Sequence, residues 1–188
     1  YIDLRIILED IGSVWLDDLV VERETEPTGL QALLQKAESL FDRAQFQEAL
    51  ALYQQLAKSH PDQEGVLMQV RHQAGRIHLA LGQYDEARRD FQWLAGKGSR
   101  LAPIALGDLY YQLGEFDHAQ EQYRKALTLY QGDQGTLSRI QEKLAANLLA
   151  QGNWDQAFEA QRRSLLIQRH IGDLHGQALA LNTTGLLY

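Results

Sequence analysis

The sequence contains no cysteine, only three prolines and a single methionine among its 188 residues. Without cysteine there is no disulfide, no thiolate nucleophile and no zinc–thiolate site. Its apolar runs are far shorter than the roughly 18 residues that a membrane-spanning helix needs, so we expect no membrane insertion. Basic residues are also few. The 18 lysines and arginines face 25 acidic residues, and the net charge of −7 disfavours nucleic acid as a partner.

The remaining composition is that of an ordinary globular chain, with 45% hydrophobic and 23% charged residues. A disordered or collagen-like chain is therefore excluded, and the length suggests one domain. No signal peptide is recognisable. Since the chain starts at Tyr1 and stops at Tyr188 within a helical pattern, we expect it to be a piece of a longer protein.

Residues 1–22 differ from the rest because apolar and polar residues alternate there. Ile2, Leu4, Ile6 and Leu8 follow a period of two, and a second run, VWLDDLVVE (14–22), is also rich in strand formers. We predict a β-hairpin over 1–22. The run VWLDDLVV resembles the last strand of jelly-roll carbohydrate-binding modules, which implies an upstream β-sandwich. The polar residues 23–29, RETEPTG, are predicted to be a linker.

From residue 30 onward the pattern has a helical period, and it repeats. Four segments place an aromatic residue two positions after a small residue and an alanine three positions later. They are AQFQEALALY (44–53), GQYDEARRDF (82–91), GEFDHAQEQY (114–123) and GNWDQAFEAQ (152–161). Their alanines, Ala49, Ala87, Ala119 and Ala157, are 38, 32 and 38 residues apart. Repetition at such a period indicates an array of stacked units.

A second small residue stands about twelve positions before each of these alanines. These residues are Ala37, Gly75, Gly107 and Ala145. They predict two antiparallel helices that approach closely, because a larger side chain would force them apart. The aromatic residues are expected to fill the gaps between units.

The turn inside each unit carries a glycine in three of the four cases, Gly82, Gly114 and Gly152. We expect these glycines to form left-handed helix caps. The first unit has Ala44 at this position.

These residues together resemble the tetratricopeptide repeat (TPR), a helix–turn–helix unit of about 34 residues. The best match is ALGDLYYQLGEFDHAQEQYRKALTLY (105–130), and the segment 164–188 is similar to a longer variant of the repeat. The resemblance implies an all-α fold, a right-handed superhelix of antiparallel helix pairs, here preceded by the β-hairpin. The predicted repeats are 30–63, 68–99, 100–133 and 138–173, and 174–188 is the first helix of a fifth.

The resemblance also implies a concave groove lined by the first helix of each repeat. The implied groove residues are Leu34, Glu38, Phe41, His72, Arg76, Leu79, Ile104, Asp108, Tyr111, Arg139, Glu142, Leu149 and Asn182. Apolar members such as Phe41 and Tyr111 could anchor a ligand, and the charges of Glu38, Arg76 and Asp108 could set its register. The alternative is that some of these side chains only pack against neighbouring helices.

The resemblance implies a scaffold that binds a protein or peptide, without catalysis, cofactor or metal. The sequence agrees, since no two histidines have the i,i+4 spacing of a zinc protease and no phosphate-binding loop is present. Two alternatives stay open. The array could be an assembly or regulatory segment of a larger enzyme, sensor or surface protein, or an enzymatic or carbohydrate-binding activity could reside outside this chain.

The last segment predicts self-association. Residues 174–188 carry Leu179, Leu181, Leu186 and Leu187 without a following second helix, and terminal repeats need a polar cap.

Overall fold

The computed structural model describes residues 29–178, and this part of the chain is all-helical. It contains eight complete helices and the start of another at 174–178. The helices are α1 Gly29–Asp42, α2 Phe46–Ser59, α3 Glu64–Ala80, α4 Tyr84–Gly96, α5 Ala102–Gln112, α6 Phe116–Leu129, α7 Gln134–Ala150 and α8 Trp154–Ile171. The predicted hairpin (1–22), almost all of the predicted linker, Asn182 and the four leucines of the self-association segment lie outside the described residues.

The helices form four antiparallel pairs, each joined by a three-residue turn: α1 with α2, α3 with α4, α5 with α6 and α7 with α8. Each pair packs on the next through α2 with α3, α4 with α5 and α6 with α7. In addition, α3 contacts α5 and α5 contacts α7. The first helices of successive pairs therefore form one layer of the array.

Two helices begin earlier than the predicted repeats. Helix α3 starts at Glu64 and α7 at Gln134, each four residues before the predicted starts at 68 and 138. At α7 the reason is a side-chain cap. The Asp133 carboxylate accepts a hydrogen bond from the backbone N–H of Thr136 at 2.9 Å, which satisfies a donor of the first turn.

The turns within the pairs confirm the predicted left-handed caps. Gly82, Gly114 and Gly152 have φ values of 71°, 73° and 76°, and Ala44 has 57°. In every turn the next residue donates its backbone N–H to a carbonyl five residues back, as in Glu115 to Tyr110 at 2.9 Å and Asn153 to Leu148 at 2.8 Å. This is the hydrogen bond of a Schellman motif, so the same local geometry ends each first helix.

The small residues of the first helices lie directly against aromatic rings. A Cβ atom added to Gly75 would lie 2.3 Å from the Phe91 ring, and one added to Gly107 would lie 2.5 Å from the Tyr123 ring. Both distances are far below van der Waals contact. The prediction that small residues allow a close helix approach is confirmed at these two pairs. In the first and fourth pairs the corresponding Ala37 and Ala145 are buried.

The core continues from one pair to the next. One buried cluster joins α1, α2 and α3, a second joins α4 and α5, and a third joins α6, α7 and α8. Tyr53, Phe91 and Tyr123 lie in these clusters and are 0–2% exposed, as expected for aromatic residues that fill gaps between units.

The aromatic residue that opens each second helix behaves differently. Phe46 packs on Phe41 and Phe116 packs on Tyr111, with ring centroids 5.7 and 5.8 Å apart, so each meets the last turn of its own first helix. Trp154 is 62% exposed. The expectation that it fills a gap between units is wrong. Where Phe41 and Tyr111 offer a ring to the first and third pairs, α7 carries Leu149.

We predict that Gly107→Ala lowers the free energy of unfolding by about 1–3 kcal/mol, because the new methyl group would displace the Tyr123 ring. Urea unfolding followed by circular dichroism measures the change. Gly65→Ala is the matched control. Residue 65 is also helical but has no atom within 4 Å of an added Cβ, so its replacement should be neutral or stabilise by up to about 1 kcal/mol. Equal effects of the two substitutions would contradict the packing argument.

Ala44 is the one non-glycine residue of positive φ among residues 29–178. Because an L side chain strains this conformation, Ala44→Gly should raise the free energy of unfolding by about 1 kcal/mol. Ala51→Gly, at an exposed helical position in α2, should instead lower it by about 0.5–1 kcal/mol. Thermal and urea unfolding of the two variants check the opposite signs, and a loss of stability in Ala44→Gly would refute the assignment.

Candidate peptide-binding groove

The twelve predicted groove residues that lie within the described chain are all on the first helices α1, α3, α5 and α7. None of them is fully buried, and Arg76 and Arg139 are exposed. Since these four helices form one layer, their partly exposed side chains lie along the same face of the array. We call this face the groove.

The structure gathers several of these side chains around one open cleft, here called the central cleft, of about 580 Å³. Phe41 comes from α1, Arg76 and Leu79 come from α3, and Asp108 comes from α5. The Arg76 guanidinium carbon lies 4.4 Å from the centroid of the Phe41 ring, which is a cation–π contact. Tyr84 and Gln112 also line the cleft. The sequence analysis did not place these two residues in the groove, because both lie at the ends of helices next to the turns.

The apolar groove residues are partly engaged in packing. Leu34 and Phe41 pack against the first core cluster and Leu79 against the second. Ile104, Tyr111 and Leu149 pack against the third. The alternative interpretation therefore holds in part, because each of these side chains offers only its outer side to a ligand.

The acidic groove residues connect first helices to one another. Glu38 accepts a hydrogen bond from the Gln69 side chain at 3.1 Å, which links α1 to α3. Asp108 forms an ion pair with the ammonium group of Lys143 at 2.8 Å, which links α5 to α7. The sequence analysis missed Gln69 and Lys143. Both lie three or four residues from a predicted groove position on the same helix, Gln69 from His72 and Lys143 from Arg139. This spacing places them on the same helix face and could have revealed them.

Asp108 has a second partner, the Tyr123 hydroxyl, which donates a hydrogen bond to it at 2.8 Å. Burial raises the pKa of Tyr123, and the negative charge of Asp108 raises it further. Tyr123 therefore stays protonated and serves as a permanent donor. The same tyrosine packs against Gly107, so the groove carboxylate and the core contact are held together.

The groove residues of α7 lie in a separate place. Arg139 and Glu142 line a second cleft of about 400 Å³ with Asp133, Asp173 and His175. Glu142 accepts hydrogen bonds from the Ser164 hydroxyl at 3.1 Å and from the Gln168 side-chain amide. The structure thus brings the predicted residues together in two groups rather than in one continuous site.

One polar cluster outside the groove is structural. Asp90 of α4 is 4% exposed and pairs with Arg71 at 2.7 Å and with His78 Nδ1 at 2.9 Å. His78 of α3 is largely buried, and its Nδ1 reaches the buried carboxylate of α4, so this contact joins the two helices of the second pair.

His72 is a groove residue whose pKa is strongly shifted by its surroundings. Burial lowers its pKa to about 4, the positive charge of Arg76 lowers it as well, and Asp108 acts in the opposite direction. The imidazole is therefore neutral near pH 7. It contributes hydrogen-bonding capacity but no charge to the groove.

Within residues 29–178 no three metal-ligating side chains converge on one point. The helices of the described chain are also too short or too polar to cross a bilayer.

Family models of the tetratricopeptide repeat match residues 31–62, 72–134 and 104–173. The chain belongs to the tetratricopeptide repeat family. The matched residues fall in all four helix pairs, with the first half of α3 unmatched, and the resemblance noted from the sequence is confirmed.

Solved structures show the same fold at low sequence identity. The TPR-like repeats of a protein from Podosopora anserina have a TM-score of 0.63 and 19% identity, over 86% of this chain and 89% of that chain. MamA from Desulfovibrio magneticus RS-1 has a TM-score of 0.57 and 14% identity, over 84% and 92%. A tetratricopeptide repeat protein from Parabacteroides merdae has 0.61 and 15%, over 84% and 65%. No curated protein matches the chain.

The lowered pKa of His72 predicts a pH-dependent stability. The unfolded chain binds the proton near pH 6.5, whereas the folded chain resists it down to about pH 4. The stabilisation is therefore present above pH 6.5 and is lost as the pH falls towards 4. Between pH 7 and pH 4, wild type should lose up to about 3 kcal/mol more than His72→Gln does.

Urea unfolding at several pH values measures this difference, and an NMR titration of the His72 ring gives its pKa directly. Replacement of the exposed His170 by Gln is the matched control and should leave the wild-type pH dependence in place. Parallel pH profiles for wild type and His72→Gln would contradict the assignment.

Proposed function

We propose that this TPR array is a protein-interaction scaffold that binds a peptide or protein segment in its groove. The central cleft carries the proposal. It combines an apolar surface from Phe41, Leu79 and Tyr84 with the charged groups of Arg76 and Asp108. Its volume falls within the range of about 300–1,000 Å³ that is usual for ligand sites. Apolar contacts would supply affinity, and the charges would select sequence and direction.

Within residues 29–178, Arg76 has an oriented side chain and an unpaired charge, which suit it to bind a ligand. Its guanidinium stacks on Phe41 and donates a hydrogen bond to the Gln73 side chain at 2.8 Å. No carboxylate within the described chain forms an ion pair with it, so its charge is oriented but not neutralised. A carbonyl or carboxylate of a bound segment would complete its hydrogen bonds.

A structural role for the array is the second candidate. The links from Glu38 to Gln69 and from Asp108 to Lys143 use groove side chains to hold neighbouring first helices at a fixed distance. Such links stabilise the stack without any ligand. They favour an assembly or regulatory segment of a larger protein, in which the groove residues act as cross-links.

We expect random peptides displayed on phage to be enriched on the immobilised chain, and the enriched peptides to lose about tenfold to a hundredfold in affinity with Arg76→Gln. This is the loss expected when a hydrogen bond to a charged group worth roughly 1.5–3 kcal/mol is removed. Fluorescence anisotropy with labelled synthetic peptides measures the dissociation constants. Arg89→Gln removes the same charge from an exposed position in α4 and is the matched control.

The groove triple variant Phe41→Ala/Arg76→Gln/Tyr111→Ala should abolish binding, with its folding checked by circular dichroism because Tyr111 packs on the core. The proposal fails if no peptide is enriched, or if the enriched peptides bind wild type and the Arg76 variant equally. Either result would favour the structural role.

A further inference from the structure

A third cleft, here called the outer cleft, lies between the second helices α6 and α8, with α7 as its floor, and has a volume of about 470 Å³. On α7 it is lined by Gln141, Leu144 and Leu148. Since each helical residue advances by about 100°, these three lie on a different side of α7 from the groove residues Glu142 and Leu149. The outer cleft is therefore separate from the groove, and what it binds is independent of the function proposed above.

The floor of the outer cleft contains a buried acceptor without a donor. Gln141 is 9% exposed, and within the described chain its side-chain Oε1 is buried and accepts no hydrogen bond. A buried carbonyl without a partner costs roughly 1–3 kcal/mol. Leu144 and Leu148, beside it, are 8% and 3% exposed. The floor thus offers an apolar surface with a single acceptor, which suits a ligand that has an apolar body and one hydrogen-bond donor.

Cationic side chains flank the same acceptor. Helices α7 and α8 run antiparallel from the turn at 151–153, so Gln141 lies at the level of Arg163 on α8. Arg163 and Arg124 both line the outer cleft and are exposed, and neither forms an ion pair within residues 29–178. The acidic Asp155 lines the opposite end, next to Leu148. Glu159, one turn from Arg163, also lines the cleft, and its carboxylate pairs with Arg162. The two unpaired arginines therefore favour a ligand carboxylate at the end that holds Gln141.

We propose that the outer cleft binds a tyrosine side chain of a partner protein that has an acidic residue directly beside the tyrosine. The ring would pack on Leu144 and Leu148, the phenol hydroxyl would donate its hydrogen bond to Gln141 Oε1, and the neighbouring carboxylate would pair with Arg163. Tyrosine fits because it joins an apolar ring to a terminal donor. This proposal accounts for the acceptor, the apolar floor and the unpaired Arg163 with one ligand.

The test compares two blocked dipeptides, N-acetyl-Asp-Tyr-amide and N-acetyl-Asp-Phe-amide, which differ only in the phenol hydroxyl. Titration of the ¹⁵N-labelled chain, followed by amide chemical shifts, gives the location and the dissociation constant. We expect shifts around Gln141, Leu148 and Arg163, and a roughly threefold to tenfold preference for the tyrosine peptide, as for one neutral hydrogen bond.

Two variants assign the parts of the site. Gln141→Leu removes the acceptor without leaving a polar group, so the preference for tyrosine over phenylalanine should disappear. Arg163→Gln should weaken both peptides, whereas Arg169→Gln, at an exposed residue in the last turn of α8 that does not line the cleft, should weaken neither.

Several results would overturn the proposal: equal binding of the two peptides to wild type, a tyrosine preference that survives in Gln141→Leu, shifts confined to the groove, or no shift at millimolar peptide. A peptide selected on the groove should bind Gln141→Leu as it binds wild type. Failure at the outer cleft and failure at the groove are thus distinguishable.

Discussion

The contact of an aromatic ring with a glycine backbone sets the geometry of this protein. In the second and third pairs the rings of Phe91 and Tyr123 occupy the volume that a Cβ at Gly75 or Gly107 would need. The two helices can approach closely only because the first helix carries no side chain there. The groove residues lie on these same first helices, so the position of each first helix in the core also fixes the position of its groove side chains.

Tyr123 shows how the core and the groove are connected. Its ring packs on Gly107, and its hydroxyl donates a hydrogen bond to Asp108, the next residue of the same helix. Asp108 in turn pairs with Lys143 of the following first helix. A buried ring thus orients a groove carboxylate, and the carboxylate fixes the distance to the next repeat. Polar groove residues in such an array thus have structural roles beside the recognition role proposed for them.

The sequence predicted the features that recur and missed those that occur once. The small residues, the glycine turns and the buried aromatics Tyr53, Phe91 and Tyr123 repeat with the helix pairs, so their pattern indicated helix pairing and packing. The buried Asp90 with Arg71 and His78, and the link to Lys143, are single events. They depend on side-chain positions in three dimensions, which periodicity does not encode. The exposure of Trp154 was missed for the same reason, since its register matches that of Phe46 and Phe116.

Helix α7 contributes to two surfaces of the fourth pair. Because successive helical residues point about 100° apart, Arg139 and Glu142 lie in the groove while Gln141 lies in the outer cleft. At the position that Tyr53, Phe91 and Tyr123 occupy in the first three pairs, the fourth pair has the buried Gln161. A polar group therefore replaces an aromatic ring in this pair, and the buried amide of Gln141 occupies a position where a hydrophobic side chain would pack at lower cost. In the proposed complex, the phenol donor of the ligand would offset that cost at the base of the outer cleft.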